Sequence, residues 1–314
     1  MMTLLIALLA IAALLVAGLV LFTALTARRV ERALPPRGRF LNIEGARLHY
    51  LDVGQGPAIV MIHGLGGQMQ HFTYALLDRL ARDFRVVLID RPGSGYSIRL
   101  PGASARLRAQ GDVIDKAIRA LKLEKPLLVG HSMGGAVALA TALDHPESVG
   151  GLALVAPLTQ PVEKSPAPFE ALVIQSDLRR WLIAWTFATP MSIIRGEKIL
   201  AAVFDPDPAP RDFPMKAGGL LSLRPSAFQS ASLDLVSANA DLWDMVKRYP
   251  ALSLPVSILY GTDDRVLDYR THGLAMKDRL PAVDVELTGG GHMLPLAAPD
   301  LTADFIRKAA RKHA

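Results

Sequence analysis

Short apolar runs that stop at glycine or proline recur along the chain after residue 40. Such runs, four to six residues long, are typical of strands buried on both faces of a parallel sheet. Two earlier segments alternate in polarity about Glu44 and Gly45, which predicts a hairpin of 40–43 with 46–51. The predicted buried strands are 58–62, 85–90, 126–129, 151–155, 255–260 and 283–287.

Helical patterns separate several of these strands, at 68–82, 104–121 and 133–145. Alternation of this kind predicts parallel βαβ units with helices on both faces of one sheet. The strand pattern disappears between 158 and 236, where prolines and aromatic residues accumulate. We therefore predict an α/β fold with a core at 40–157 and 237–314 and an inserted, mostly helical cap at 158–236.

The first 27 residues contain no charged side chain, and 4–25 is mostly leucine, alanine, isoleucine and valine. About 20 helical residues span the roughly 30 Å of a bilayer's hydrocarbon core, so the segment is long enough to cross it. A signal peptide cleaved on export and a buried core helix are the alternatives. A signal peptide has basic residues before its apolar stretch, whereas here they follow it. We predict a single-pass transmembrane anchor at 1–27.

Basic residues and prolines follow the apolar segment. Arg28, Arg29 and Arg32 predict that this end of the helix, and the domain after it, lie on the cytoplasmic side. Two prolines give 28–39 the character of a short, stiff linker. The net charge of +6 shows no clustered basic face with interleaved aromatic residues, so we expect no nucleic-acid partner, and the juxtamembrane cluster suits anionic lipid instead.

Composition narrows the chemistry further. The chain has 314 residues and no cysteine, which excludes disulfides, cysteine-ligated metals and a thiol nucleophile. It has no P-loop, HExxH or complete GxGxxG motif, so we expect neither a nucleotide nor a metal cofactor. Asp205 and Asp207 superficially resemble a metal pair, but the prolines between and after them suit a solvated loop.

A candidate nucleophile lies between a predicted strand and a predicted helix. Ser132 is the central residue of 130–134, Gly-His-Ser-Met-Gly, which is the G-x-S-x-G pattern of a nucleophile elbow. A serine hydroxyl is a poor nucleophile at neutral pH, so it needs a base and a site that stabilises the oxyanion. The strand before it and the helix after it favour the functional interpretation over that of a glycine-rich helix start.

The base and the acid are expected downstream. Three histidines follow the strand at 255–260: we place His272 in a surface helix and His313 at the chain end. His292 follows a strand through a glycine-rich loop and is the candidate base. Asp263 and Asp264 both follow the strand that ends near Gly261, and composition does not choose between them.

The order of elements and motifs resembles the α/β-hydrolase superfamily over residues 40–314, with the cap poorly matched. The motifs that carry the resemblance are 63–67 (His-Gly-Leu-Gly-Gly), 90–97 (Asp-Arg-Pro-Gly-Ser-Gly-Tyr-Ser), 130–135 (Gly-His-Ser-Met-Gly-Gly), 261–265 (Gly-Thr-Asp-Asp-Arg) and 291–292 (Gly-His).

The resemblance implies roles for several of these residues. It implies Asp264 as the acid, because the family's acid usually stands three residues after the glycine that ends its strand. It also implies an oxyanion hole formed by the backbone N–H groups of Leu65 and Met133, and a structural role for His63. Relatives that cleave epoxides or carbon–halogen bonds have aspartate at the elbow, so serine there disfavours those reactions.

The resulting hypothesis is a carboxylic-ester hydrolase of lipase-like character that acts on apolar or lipid-like esters. The alternatives are C–C bond hydrolysis, lactone hydrolysis or acyl transfer on the same fold, and a non-enzymatic, membrane-tethered binding protein. Trp181, Trp185 and Phe187 of the cap either line an acyl-chain pocket or form the cap's own core.

Overall fold

Nine strands form one sheet in the part of the chain that the computed structural model describes, residues 1–280 and 282–313. The sequence pattern predicts all of them except β5, which has two residues. The strands are β1 Arg39–Ile43, β2 Ala46–Val53, β3 Ala58–Ile62, β4 Arg85–Ile89, β5 Ile98–Arg99, β6 Leu127–His131, β7 Gly151–Val155, β8 Val256–Gly261 and β9 Asp284–Thr288.

The strand order brings three chemically important loops to one edge of the sheet. Six strands run parallel in the order β4-β3-β6-β7-β8-β9, and β2 pairs antiparallel with β1, β4 and β5. The carboxyl ends of parallel strands meet at the same edge, where ligands bind in open α/β sheets. The loops after β6, β8 and β9 begin there and contain Ser132, Asp264 and His292.

Helices surround the sheet and fill the chain between β7 and β8. The α-helices are α1 Met2–Ala33, α2 Gln70–Thr73, α3 Leu77–Leu80, α4 Leu107–Ala120, α5 Met133–Asp144, α6 Asp177–Ile183, α7 Thr189–Phe204, α8 Phe213–Lys216, α9 Pro225–Arg248, α10 Tyr269–His272, α11 Leu294–Ala297 and α12 Pro299–His313. A π-helical segment, Ala184–Ala188, joins α6 to α7 without a break. The 3₁₀ segments are Pro146–Ser148, Ala167–Leu172, Gly219–Leu223, Tyr249–Ala251 and Leu274–Asp278.

Each face of the sheet has its own apolar core, which is why central strands such as β3 and β7 are apolar throughout. In β3, Val60 and Ile62 pack with residues of α4 and α5. The alternate residues Ile59 and Met61 pack on the other face with residues of α3 and α12. The prediction of helices on both faces is therefore confirmed.

The segment between β7 and β8 is helical or irregular, as the loss of strand pattern indicates. The helix α9 continues through residue 236 to Arg248, so the predicted core–cap boundary falls inside a helix. Residues at its C-terminal end, including Leu242 and Met245, belong to the same apolar cluster as α4 and α5. The division into core and cap stays a prediction at those boundaries.

The helix α1 extends beyond the predicted apolar segment. It ends at Ala33 rather than near 27, because the charged residues that follow the apolar run are good helix formers and the first strong breaker is Pro35. Its mean hydropathy reaches 3.1 over 18 residues that no other part of the chain buries. Its C-terminal turns pack against the π-helical segment and the 3₁₀ segment Gly219–Leu223.

Candidate active site

The nucleophile elbow is a sharp turn between β6 and α5. Ser132 has φ 56° and ψ −123°, a backbone conformation that costs energy and is found at functional sites. Its N–H donates to the Val155 carbonyl of β7 at 3.0 Å, which holds the turn against the sheet. A Cβ on Gly134 would lie 2.1 Å from the Ile62 carbonyl oxygen, so only glycine fits there. The glycines of the motif thus allow the helix to start directly beside β3.

His292 lies between Ser132 and Asp264. The Ser132 hydroxyl and His292 Nε2 are 2.9 Å apart, and His292 Nδ1 lies 2.7 Å from Asp264 Oδ2. The carboxylate can only accept at Nδ1, so this nitrogen carries the proton, and Nε2 is left to accept from the serine. The side chains of His292 and Asp264 are almost completely buried, and Ser132 is 8% exposed.

The two adjacent acids have different partners. Asp264 also accepts from the N–H groups of Val266 and Leu267, at 2.8 and 2.9 Å, through its other oxygen. Those bonds fix the carboxylate that faces the imidazole. Asp263 accepts instead from the Gly290 N–H at 3.2 Å, on the exposed side of the loop.

Two further residues, Asp207 and His131, hold the loop of His292, and no sequence pattern indicates this role for either. The Gly291 N–H donates to Asp207 Oδ2 at 2.9 Å, so the loop after α7 contacts the histidine loop directly. His131 Nε2 donates to the His292 carbonyl at 3.0 Å. Burial lowers the pKa of His131 well below its ordinary value, which keeps this ring neutral beside His292.

The segment 63–67 passes directly beside the nucleophile. A Cβ on Gly64 would lie 2.9 Å from Ser132 Cβ, so the residue before Leu65 is in close contact with the serine. Met133 is the first residue of α5, and its N–H therefore has no acceptor within that helix. His63 donates from Nδ1 to the Gly64 carbonyl at 2.8 Å, and its Nε2 accepts from the Arg91 N–H at 3.0 Å.

A fully buried arginine ties this segment to the cap. The Arg91 guanidinium donates to the carbonyls of His63 and Gly64, at 2.9 and 3.0 Å. It also pairs with Asp234 of α9 at 2.7 Å, and both side chains are completely buried. Arg99 pairs with the second oxygen of Asp234. Burial and the nearby Arg91 charge lower the pKa of His63 well below its ordinary value, so His63 stays neutral.

A cavity of about 250 Å³ opens beside Ser132. Most of its lining is apolar and comes from the segment 158–175 and from α9, with Leu65 and Met133 next to the serine. The structure does not bring Trp181, Trp185 and Phe187 to this cavity. Trp181 and Phe187 are exposed on the outer face of the cap, 50% and 58% accessible, and Trp185 is half-buried.

His272 is not on the surface, contrary to our expectation. It is buried in α10, and its Nδ1 accepts from the N–H groups of Thr159 and Gln160, both at 3.3 Å. Burial lowers its pKa to about 4. The amphipathic pattern of four helical residues is too short to show which side faces the core, which is why sequence placed it wrongly.

Two groups of acidic side chains are candidate metal ligands, and both already have protein partners. Asp205 lies 3.6 Å from Arg265, while Asp207 accepts from the histidine loop. The ligand atoms of Asp115, His145 and Glu147 lie within 4.8 Å of one another. Arg119 pairs with both acids of that group and supplies the positive charge that a metal would.

Comparison with known proteins gives consistent matches over most of the chain. The family model described as the alpha/beta hydrolase fold matches residues 57–299. Over 274 residues the chain is 26% identical to 2-hydroxy-6-oxo-6-phenylhexa-2,4-dienoate hydrolase of Burkholderia cepacia, a match that covers 84% of this chain and 93% of that protein.

Solved structures match equally broadly. An alpha/beta hydrolase fold protein from Burkholderia ambifaria has a TM-score of 0.71 and 23% identity, and the match covers 86% of this chain and 97% of that one. A membrane phospholipase A, described as a novel bacterial virulence factor, has a TM-score of 0.67 and 25% identity. That match covers 98% of this chain and 97% of the other, so it extends into the N-terminal helix.

Proposed function

The chain belongs to the α/β-hydrolase family, and on that premise we propose that it is a serine hydrolase that cleaves carboxylic esters with apolar acyl groups. The observation that carries the proposal is the position of the His292 ring, within hydrogen-bond distance of Ser132 on one side and of Asp264 on the other. A serine activated by an oriented, neutral imidazole is the requirement for acyl transfer.

The proposed reaction assigns a role to each residue of the site. His292 takes the Ser132 proton while Oγ attacks the ester carbonyl, and Asp264 stabilises the imidazolium that forms. The N–H groups of Leu65 and Met133 bind the oxyanion, and His292 then returns the proton to the leaving alcohol. Water, deprotonated by the same histidine, attacks the acyl carbonyl, and His292 gives that proton to Ser132 Oγ as the bond between the serine oxygen and the acyl group breaks and the acid leaves. An oxyanion donor contributes about a hundred- to a thousand-fold in rate.

The lining of the cavity favours a neutral substrate. Among the described residues that line it there is no lysine or arginine, and one side chain, Glu163, is acidic. A carboxylate transferred into such a cavity would lose its hydration without gaining a cation. The Burkholderia cepacia relative is named for a dienoate, which carries a carboxylate, and that name favours C–C bond hydrolysis as the second candidate. The absence of a lining cation favours the ester.

The N-terminal helix favours substrates from a membrane. We propose that α1 anchors the protein in a bilayer, with Arg28, Arg29 and Arg32 at the cytoplasmic surface. The match to a membrane phospholipase A over 98% of the chain supports a lipid-like ester. An anchored hydrolase with an apolar cavity would meet such esters at high local concentration.

The proposal is tested by labelling and turnover of the full-length protein in detergent. We expect a fluorophosphonate probe to label the wild type and Ser226→Ala, whose serine is exposed on α9, but not Ser132→Ala. Turnover of p-nitrophenyl esters should be lost in Ser132→Ala alone. A chain-length series then identifies the preferred acyl group.

A parallel assay with the dienoate substrate of the Burkholderia cepacia relative separates the two candidates. Faster cleavage of that anion than of any neutral ester would replace ester hydrolysis with C–C bond hydrolysis. Labelling of Ser132→Ala, or wild-type protein that neither binds the probe nor cleaves an ester, would refute the proposed function.

A further inference from the structure

The helical stretch from α6 through α7 presents apolar side chains to the outside. The π-helical segment lies between Leu182 and Met191. Its i to i+5 repeat keeps the apolar residues before and after it on the same side of the helix, although their spacing along the sequence is irregular. We call this row the cap surface, and it consists of Leu178, Trp181, Leu182, Phe187, Met191 and Ile194.

The cap surface is unusually exposed for its chemistry. Leu178 and Ile194 are 67% and 73% accessible, although these positions lie on the outer face where a helix in water carries polar residues. A contiguous apolar patch of this kind marks an interaction surface. No described residue covers it, so its occupant lies outside the chain or in a second copy.

The N-terminal helix packs against the same part of the cap. The π-helical segment and α7 both contact α1. On α1 the face shielded from solvent begins at Leu19 and continues through Thr23 and Val30 to Leu34. The cap therefore approaches α1 well before the first charge of the chain, at Arg28.

This position sets the depth of the cap surface. From Leu19 to Arg28 is about 13 Å along a helix at 1.5 Å per residue. An uncharged run of 27 residues is about 40 Å long, against roughly 30 Å of hydrocarbon. The cap contacts the part of α1 that lies at the edge of the bilayer core or within its interface, and the exposed side chains of the cap helix lie at that level.

The charged residues around the cap surface also fit contact with a bilayer. Basic residues outnumber acids among the exposed charges of α6 and α7, which are Arg179, Arg195, Lys198, Asp177 and Glu197, and Arg28 and Arg29 are exposed on α1. Apolar residues flanked by lysine and arginine are typical of helices that lie in the plane of a membrane and contact anionic headgroups.

We propose that the cap surface is a second membrane contact, inserted in the headgroup region of the bilayer that holds α1. The inference rests on the proposed anchoring by α1, and it goes beyond it because it fixes the orientation of the domain. Val173 and Gln175, which line the cavity beside Ser132, immediately precede α6. The cavity mouth therefore lies at the bilayer surface, where a lipid ester can enter without crossing water.

The chain offers a clean experiment because it contains no cysteine. Single cysteines introduced as Leu178→Cys and Ile194→Cys receive a polarity-sensitive fluorophore, and the full-length proteins are reconstituted in phosphatidylcholine–phosphatidylglycerol vesicles. The matched control is Trp243→Cys, 62% exposed on α9 and about 27 Å along that helix from its first residue. Doxyl-labelled lipid reports contact with acyl chains, and iodide reports contact with water.

At positions 178 and 194 we expect blue-shifted fluorophore emission that is quenched by doxyl lipid and not by iodide. At position 243 we expect emission without a blue shift that is quenched by iodide and not by doxyl lipid. Quenching of 178 and 194 by iodide alone would overturn the proposal, and so would protection from both quenchers, which indicates a protein partner or second copy. Release of the protein from vesicles by alkaline carbonate would show that α1 does not anchor it, and would overturn the proposal for that reason. Ester turnover, measured separately in detergent, is independent of all these outcomes, so failure of the proposed function is distinguishable.

Discussion

Asp263 and Asp264 are chemically identical neighbours whose environments give them different roles. Asp264 is buried, with both oxygens engaged by His292 and by two backbone N–H groups. Asp263 is exposed and accepts one hydrogen bond from Gly290. The pair therefore provides a test of the proposed triad in which the substitution is the same and only the position differs.

We predict that Asp264→Asn lowers kcat for ester hydrolysis by about 10⁴-fold, because an amide that donates to Nδ1 leaves the proton on the wrong imidazole nitrogen. Asp263→Asn should cost less than about tenfold, since one exposed hydrogen bond contributes about 1 kcal/mol. Steady-state kinetics of both variants, with folding checked by circular dichroism, measures the difference. Equal losses would remove Asp264 from the proposed role.

Sequence predicted the residues of the site that belong to recognisable motifs, and missed those that act through the fold. Ser132 and His292 stand in distinctive glycine-rich loops. Arg91 contacts His63 and Gly64, which lie 28 and 27 positions before it in the chain. Asp207 contacts Gly291, 84 positions after it. No local pattern encodes such contacts. A buried arginine is rare unless it is paired, but its burial is visible only once the sheet is assembled.

At the scale of elements, α9 connects the cap to the segment beside the nucleophile. Asp234, in the middle of this helix, is completely buried and accepts from Arg91 and Arg99. Removing the carboxylate leaves two guanidinium groups in the interior without a counter-charge. Asp244, ten residues later on the same helix, is exposed and lies 3.8 Å from Arg248.

We predict that Asp234→Asn lowers the free energy of unfolding by about 3–5 kcal/mol, as breaking a buried ion pair does. Asp244→Asn should change it by less than about 0.5 kcal/mol. Urea unfolding followed by proteolysis in detergent compares the two variants. A small effect at Asp234 would mean that solvent reaches the network and that it does not hold the segment beside Ser132.

Hydrophobic periodicity suffices to predict some of the strands and helices but not others. Apolar runs predicted the five buried parallel strands β3, β4, β6, β7 and β8, because burial on both faces leaves a continuous signal, whereas β9 is half-buried and alternates in polarity. The stretch 68–82 appeared to be one helix and forms two short ones, α2 and α3. The π-helical segment has no sequence signature of its own, since the i to i+5 hydrogen bonds that distinguish it from an α-helix join backbone groups alone.

At the scale of the whole molecule, four histidines whose pKa the fold lowers make stability depend on pH. Burial lowers the pKa of His71 and of His272 to about 4, and those of His63 and His131 well below their ordinary value. In the unfolded chain the same rings titrate near 6.5. Between these limits the unfolded state binds more protons than the folded state, so the free energy of unfolding rises with pH.

We therefore predict that the protein loses stability steadily as pH falls from 6.5 to 5, above the range in which paired carboxylates contribute. Each of these four histidines adds up to about 1.4 kcal/mol per pH unit to the slope. His71→Phe, which keeps the ring packing against Phe213, should reduce that slope by up to one such increment and leave the slope above pH 7.5 unchanged. Urea midpoints across this range provide the measurement. An unchanged slope in His71→Phe, or a wild type that is more stable at pH 5 than at pH 7, would show that these rings are protonated in the folded protein, and the neutral histidines beside the proposed triad would have to be reassigned.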